Sequence, residues 1–224
     1  MKRAIIESRP YLLLSLLFGI SFFFVFVLNE PELPDPLKMA WKGAGVGFLS
    51  IYALRRVAGF DGKLIAAVMA FGALGDILIE LDMILGAVAF LIGHCIAITL
   101  YLRHRRPRTS FSQKIFAILL VPITVFIAWS LPFDRGEALG IAIYSAFLAA
   151  MAAMAWTSRF PRYRVGTGVI FFVVSDLLIF SRVGFLQNSD IPMWGVWPLY
   201  FAGQFLIATG VVRTLRTEKH ITNP

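Results

Sequence analysis

Two aspartates set within apolar runs, Asp76 and Asp176, are the residues of this chain best suited to do chemistry. A charged side chain at the centre of a membrane helix costs roughly 2.5–3.5 kcal/mol on insertion scales, so its retention points to a use. Two carboxyls that share a proton offer an acid and a base together, which suits protonation of a substrate atom and activation of water. Asp76 lies about five residues, or ~7 Å, below the outer end of its run, and Asp176 stands at a matching depth. Other polar residues gather at that level. Glu80 is four residues after Asp76 and so on the same helical face, and Asp82 begins the next turn. Lys42 is one turn into its run, and Arg182 closes the run that carries Asp176. Tyr200 and Gln204 share one face of the last run, while His94 lies nearer the midplane.

Each residue also has a plainer reading. Asp76 and Asp176 could be ion-pair partners of Lys42 and Arg182; Glu80, Asp82 and Arg182 could be solvated helix ends. Lys42 could snorkel to the interface, and His94 and Gln204 could be hydrogen-bonded packing residues. Cys95, the methionines and the Phe22-Phe23-Phe24 cluster read as core or lipid-facing. A metal centre is not expected, because there is no HExxH and no second histidine at ligand spacing. No cofactor is expected either. GxSxG is absent, and Ser175 and Asp176, adjacent on a helix, point about 100° apart, which is wrong for a nucleophile and its base. Acid–base work by a carboxylate pair is the simplest chemistry left.

The elements that must position these groups follow from composition. Of 224 residues, 58% are hydrophobic and 15% charged, against roughly 45–50% and about 25% in soluble domains. Mean hydropathy is +0.78, so lipid is the expected solvent. Long apolar runs predict an all-α bundle of eight transmembrane helices, at about 10–28, 38–57, 63–80, 83–102, 114–131, 137–157, 163–181 and 194–214. They leave no room for a soluble domain, so residues 1–224 are expected to form a single eight-span membrane domain. The first run follows Lys2, Arg3 and Arg9 like a signal peptide. It lacks a small-x-small cleavage site near residue 30 and is expected to be retained.

The net charge of +8 takes its meaning from where the charges fall. Alternate connections and both tails hold 17 of the 21 Lys and Arg; the other side holds Lys38, Lys42, Arg135 and Arg182. Ten of the 13 carboxylates lie on or near that second side, Glu30, Glu32 and Asp35 among them. The positive-inside rule then places both termini in the cytoplasm. Topology accounts for the basic balance, with some attraction to anionic lipid; no aromatic-basic module accompanies it, so no nucleic-acid partner is expected. An integral protein of a bacterial cell membrane, with its polar site under the outer leaflet, is the expected setting.

Short loops make successive spans antiparallel neighbours, and small-residue runs such as Gly43-Ala44-Gly45-Val46-Gly47 permit close helix approach. A parallel four-plus-four duplication is suggested by Gly75-Asp76-Ile77-Leu78-Ile79 against Ser175-Asp176-Leu177-Leu178-Ile179, and by Gly93-His94 against Gly203-Gln204.

Gly75-Asp76, Phe90-Leu91-Ile92-Gly93-His94, Phe171-Phe172-Val173-Val174-Ser175-Asp176 and Tyr200-Phe201-Ala202-Gly203-Gln204-Phe205-Leu206-Ile207, in this order and in these spans, resemble the YhhN-type lysoplasmalogenase family. Two positions depart from the family pattern: Ala97 stands where an aromatic is often found, and the lysine of span two maps to either Lys38 or Lys42. The resemblance implies hydrolysis of the vinyl ether bond of a lysoplasmalogen, releasing a fatty aldehyde and a glycerophospho-choline or -ethanolamine. Its partner would be a lysophospholipid drawn from the bilayer. Asp76 and Asp176 would then supply acid and base, much as paired carboxylates serve glycosidases. Lys42 and Arg182 would hold phosphate, and Gln204, Tyr200 and His94 would orient water or the glycerol hydroxyl.

A different class also fits matched intramembrane aspartates: a proton-coupled transporter of lipid or another small molecule. Such a protein is usually polar towards both sides, whereas the inner half here has almost no ionisable residue outside its loops. A catalytically silent scaffold is the third reading.

Overall fold

The computed structural model describes residues 2–27 and 34–222, with side chains described for residues 9–25 and 34–217. Glu30, Glu32, the end of the first apolar run and the stretch near residue 30 read for a cleavage site lie outside the described residues. Each apolar run becomes one helix. In order they are α1 (Lys2–Phe22), continued by a π-helical turn Phe23–Val27, then α2 (Asp35–Arg56), α3 (Phe60–Leu78) and α4 (Met83–Arg103). After these come α5 (Phe111–Ser130), α6 (Arg135–Thr157), a π-helical turn Arg162–Gly166 that leads into α7 (Thr167–Ser181), and α8 (Ile191–Thr222). The described residues form no strand, only isolated bridges between Arg105 and Ser158 and between Pro132 and Gly184.

Five of these helices are long and apolar enough to cross a membrane: α4, α5, α6, α7 with its π turn, and α8. The chain is therefore built as a multi-pass membrane protein. The apolar stretch of α1, Arg9–Val25, is shorter. In α2 the lysines 38 and 42 and three glycines dilute the apolar run, and α3 carries Asp61, Lys63 and Asp76. Two of the helices outside this set of five, α2 and α3, thus hold part of the predicted site.

Local chemistry sets the helix starts. Ser110 and Gln113 form a reciprocal capping box at α5, which satisfies two otherwise orphaned groups. The Asp134 carboxylate accepts from Gly136 N–H at 2.8 Å to start α6, and Asp82 does the same for Leu85 N–H at 2.8 Å in the first turn of α4. Gly59, at φ 94°, turns the chain into α3 in a conformation that a side chain would strain.

Two compact units result, Met1–Leu100 with Ala208–Pro224, and Tyr101–Ile207. In the first, polar side chains tie neighbouring helices. Ser15 Oγ donates to Gly45 O at 2.6 Å, Trp41 Nε1 to Ser21 Oγ at 2.9 Å, and Ser50 Oγ to Ala66 O at 2.8 Å. Its core centres on Val46, Leu49, Ile65 and Met69. In the second unit α7 and α8 touch through backbone: a Cβ on Gly168 would fall 2.8 Å from Gly203 O, and one on Gly203 2.7 Å from Gly168 O. Lipid gives helices no hydrophobic reason to associate, so such small-residue contacts carry the packing. Large apolar side chains point outward instead, as do Ile118 and Phe126 of α5.

The internal similarity recurs as contact register. A Cβ on Gly93 of α4 would meet Phe71 Cβ and Val68 O on α3; on Gly203 of α8 it would meet Phe171 Cβ and Gly168 O on α7. Leu74 and Val174 are the exposed residues two before each aspartate, at 41% and 40%, while Asp76 and Asp176 are buried at 2% and 5%. The α3–α4 and α7–α8 pairs therefore present equivalent positions in the same way.

Candidate functional site

In the first unit, α3 is held between two neighbours next to Asp76. Gly75 lies against the Phe90 ring of α4, where a Cβ would come within 2.7 Å, and Ile77 fills the notch left by Gly43 of α2. Successive helical residues are about 100° apart. Asp76 therefore faces the angle between those contacts, opposite the exposed Leu74. His94 is one turn beyond Phe90 on the same face of α4 and is also buried.

At the end of α3 the chain turns through Glu80, and here α2 supplies two cations to one anion. Lys42 Nζ approaches Glu80 Oε1 at 2.5 Å and Lys38 Nζ approaches Oε2 at 3.0 Å. Lys38 and Lys42 are one turn apart, so one helical face delivers both. The choice left open between them thus meets a structure in which both converge. The cluster is partly shielded, with the side chains of Lys42 and Glu80 exposed by 15% and 23%. Glu80 lies in the turn beyond α3, outside the helices; burial alone would raise its carboxyl, but Lys42 and Lys38 outweigh this and hold it below its ordinary value. Asp82 is exposed and its carboxylate caps α4.

In the second unit, Asp176 accepts a hydrogen bond at Oδ2 from the Tyr144 hydroxyl of α6 at 2.7 Å. The Tyr144 ring also packs edge-on against Phe180, one turn after Asp176, with ring centroids 5.7 Å apart. Ser175 turns to the other side and donates to Val196 O of α8 at 2.9 Å, which agrees with its expected divergence from Asp176. Tyr200 is buried and stacks edge-on with Phe172 of α7. Gln204, one turn later, is 1% exposed, and its Oε1 has no hydrogen-bond partner. A buried, unmatched amide oxygen costs free energy, so this group is poised to receive a donor. Arg182 is exposed and its Nη2 donates to Pro192 O at 3.2 Å, closing α7 against the start of α8.

The structure thus brings together Lys38, Lys42 and Glu80 in one unit, and Tyr144 with Asp176 in the other. Tyr144 is absent from the residues singled out by sequence. Its signal was present: it is the tyrosine of span six, two turns in from the outer end, at the depth of Asp176. Among the described residues no group of three or more His, Cys, Asp or Glu is placed to hold a metal ion.

Searches of curated proteins and of solved structures return no match. The YhhN family model matches residues 37–211. That stretch runs from the first turn of α2 into α8 and contains both aspartates, the lysine–glutamate cluster, His94, Tyr144 and Gln204. With most of its length and every residue of both polar groups inside the match, the chain belongs to the YhhN family.

Proposed function

We propose that this protein is a membrane hydrolase that cleaves the vinyl ether bond of a lysoplasmalogen, with Asp76 and Asp176 as its acid–base couple. The observation that carries the reading is the burial of these two carboxyls at equivalent positions of α3 and α7, within a chain of the YhhN family. A vinyl ether is opened by protonating its β-carbon. The resulting oxocarbenium ion is stabilised by a carboxylate, water adds to it, and the hemiacetal collapses to a fatty aldehyde and a glycerophospho-alcohol. Tyr144 holds Oδ2 of Asp176 and so fixes the direction in which Oδ1 is offered.

Lys38 and Lys42 form the phosphate-binding pair of this reading, with Glu80 holding both ammonium groups until substrate arrives. Arg182 is a second cation for the headgroup. His94, Tyr200 and the unpartnered Oε1 of Gln204 orient water or the glycerol hydroxyl; Asp82 contributes by fixing the start of α4. Eight spans with both termini in the cytoplasm complete the proposal, in a bacterial cell membrane with the site under the outer leaflet. No metal or cofactor enters the reaction as written.

The test is incubation of the purified protein with lysoplasmenylcholine and lysoplasmenylethanolamine, with aldehyde as the readout. Aldehyde release that is lost in Asp76→Asn and in Asp176→Asn supports the reading; full activity in either variant overturns the couple. The transporter reading predicts instead substrate uptake into proteoliposomes without aldehyde.

A further inference from the structure

The arginine-rich end of the second unit is more than a by-product of topology. The loop after α4 and the loop after α6 are clamped side by side. Arg105 and Ser158 form an antiparallel bridge, Arg106 N–H donates to Thr157 O at 3.3 Å, and Arg159 N–H donates to His104 O at 2.8 Å. Phe160, fully buried, anchors the clamp against the rings of Tyr101 and His104. The π-helical turn Arg162–Gly166 follows directly. Two segments distant in sequence therefore deliver Arg105, Arg106, Arg108, Arg162 and Arg164 to one end of this unit.

Three features distinguish the patch from an ordinary positive loop. First, residues 101–133 and 138–175 contain no Asp or Glu, and among the described residues none of the five arginines is in an ion pair. The loop at residues 55–63, by contrast, carries Asp61 beside its basic residues. Second, the topology rule counts lysine and arginine alike, yet this patch is built from arginine, whose planar fork matches phosphate oxygens in pairs. Third, Tyr163, between two of the arginines, is 95% exposed and Phe111, at the start of α5, is 79% exposed. Aromatic side chains in that setting sit at the headgroup level of a bilayer, with the apolar outer face of α5 continuing from Phe111.

We propose that this end of the second unit is a binding site for an anionic phospholipid, whose phosphodiester is held by arginines of both loops while its acyl chains lie along α5. The site is separate from the hydrolase reading, since a lipid bound here is a resident and not a substrate. Its test uses the full-length protein, purified and reconstituted into bilayer discs of equal phosphatidylglycerol and phosphatidylcholine, then extracted mildly and assayed for retained lipid. Wild type should retain phosphatidylglycerol with a preference of at least about tenfold. Replacing all five arginines by glutamine should abolish the preference, whereas neutralising Arg55, Arg213 and Lys63 should leave it. Because the glutamine variant could fail to fold, an all-lysine variant keeps the charge and tests the fork: its preference should fall several-fold. Inorganic phosphate at millimolar concentration should not displace the lipid. Equal retention of the two lipids by wild type, an unchanged preference in the lysine variant, or displacement by free phosphate would overturn the proposal.

Discussion

The Tyr144 hydroxyl on α6 donates a 2.7 Å hydrogen bond to Oδ2 of Asp176 on α7, a residue only 5% exposed. One carboxylate oxygen is thereby committed to a neighbouring helix and the orientation of the other is set. In the first unit the partner of the preceding helix reaches the residue one turn later: Lys42 of α2 meets Glu80, while the Tyr144 ring meets Phe180. The α2–α3 and α6–α7 pairs thus make contacts at matching positions through different residues.

Tyr144→Phe removes the hydrogen bond and keeps the ring against Phe180. A bond of this kind is worth about 1 kcal/mol or somewhat more, so kcat for aldehyde release should fall about tenfold, with KM little changed. A change confined to KM would assign Tyr144 to binding.

Asp76→Asn and Asp176→Asn should each lower kcat by at least about a hundredfold, the usual range for a lost general acid or base. Groups that act as a unit are not additive. The double variant should therefore be no slower than the worse single one; multiplied losses would show that the two carboxyls act independently.

Gly203→Ala and Gly93→Ala occupy equivalent positions but should differ in effect. A Cβ on Gly203 meets backbone oxygen at 2.7 Å, whereas on Gly93 its nearest neighbour is Phe71 Cβ at 3.4 Å. Overpacking typically costs about 1–3 kcal/mol, so Gly203→Ala should lower the thermal midpoint clearly and Gly93→Ala little or not at all. Equal losses would contradict the packing described for α7 and α8.

Glu80 gives a signed pH dependence. Its carboxyl lies below the ordinary 4.5 in the folded protein, so the unfolded chain takes up its proton first. The stabilisation is present above about that ordinary value and is lost as pH falls through the lower folded one. The thermal midpoint of wild type should drop across this acidic window more than that of Glu80→Gln, and the two curves should converge at its acidic end. Parallel curves would show that the ion pairs with Lys38 and Lys42 add nothing to stability.

Much of the architecture was open to reading without coordinates, because it depends on averages. Residence in lipid, all-helical structure and eight helices follow from hydropathy over windows of about 20 residues, and a window average hardly notices which neighbour a side chain meets. The positions of Asp76 and Asp176 along their helices were legible for the same reason, since rise per residue is constant along a helix. What could not be read was rotation about each helix axis and the pairing of faces. Those are fixed by backbone approach at Gly43, Gly75, Gly168 and Gly203, contacts between residues far apart in sequence. Long-range pairing of helix faces brings Tyr144 to Asp176 and both Lys38 and Lys42 to Glu80, whereas the bond by which Asp82 caps α4 is local, three residues along the chain. Composition and spacing set the solvent and the position of each polar group along its helix, and the packing of helix against helix chose its partner.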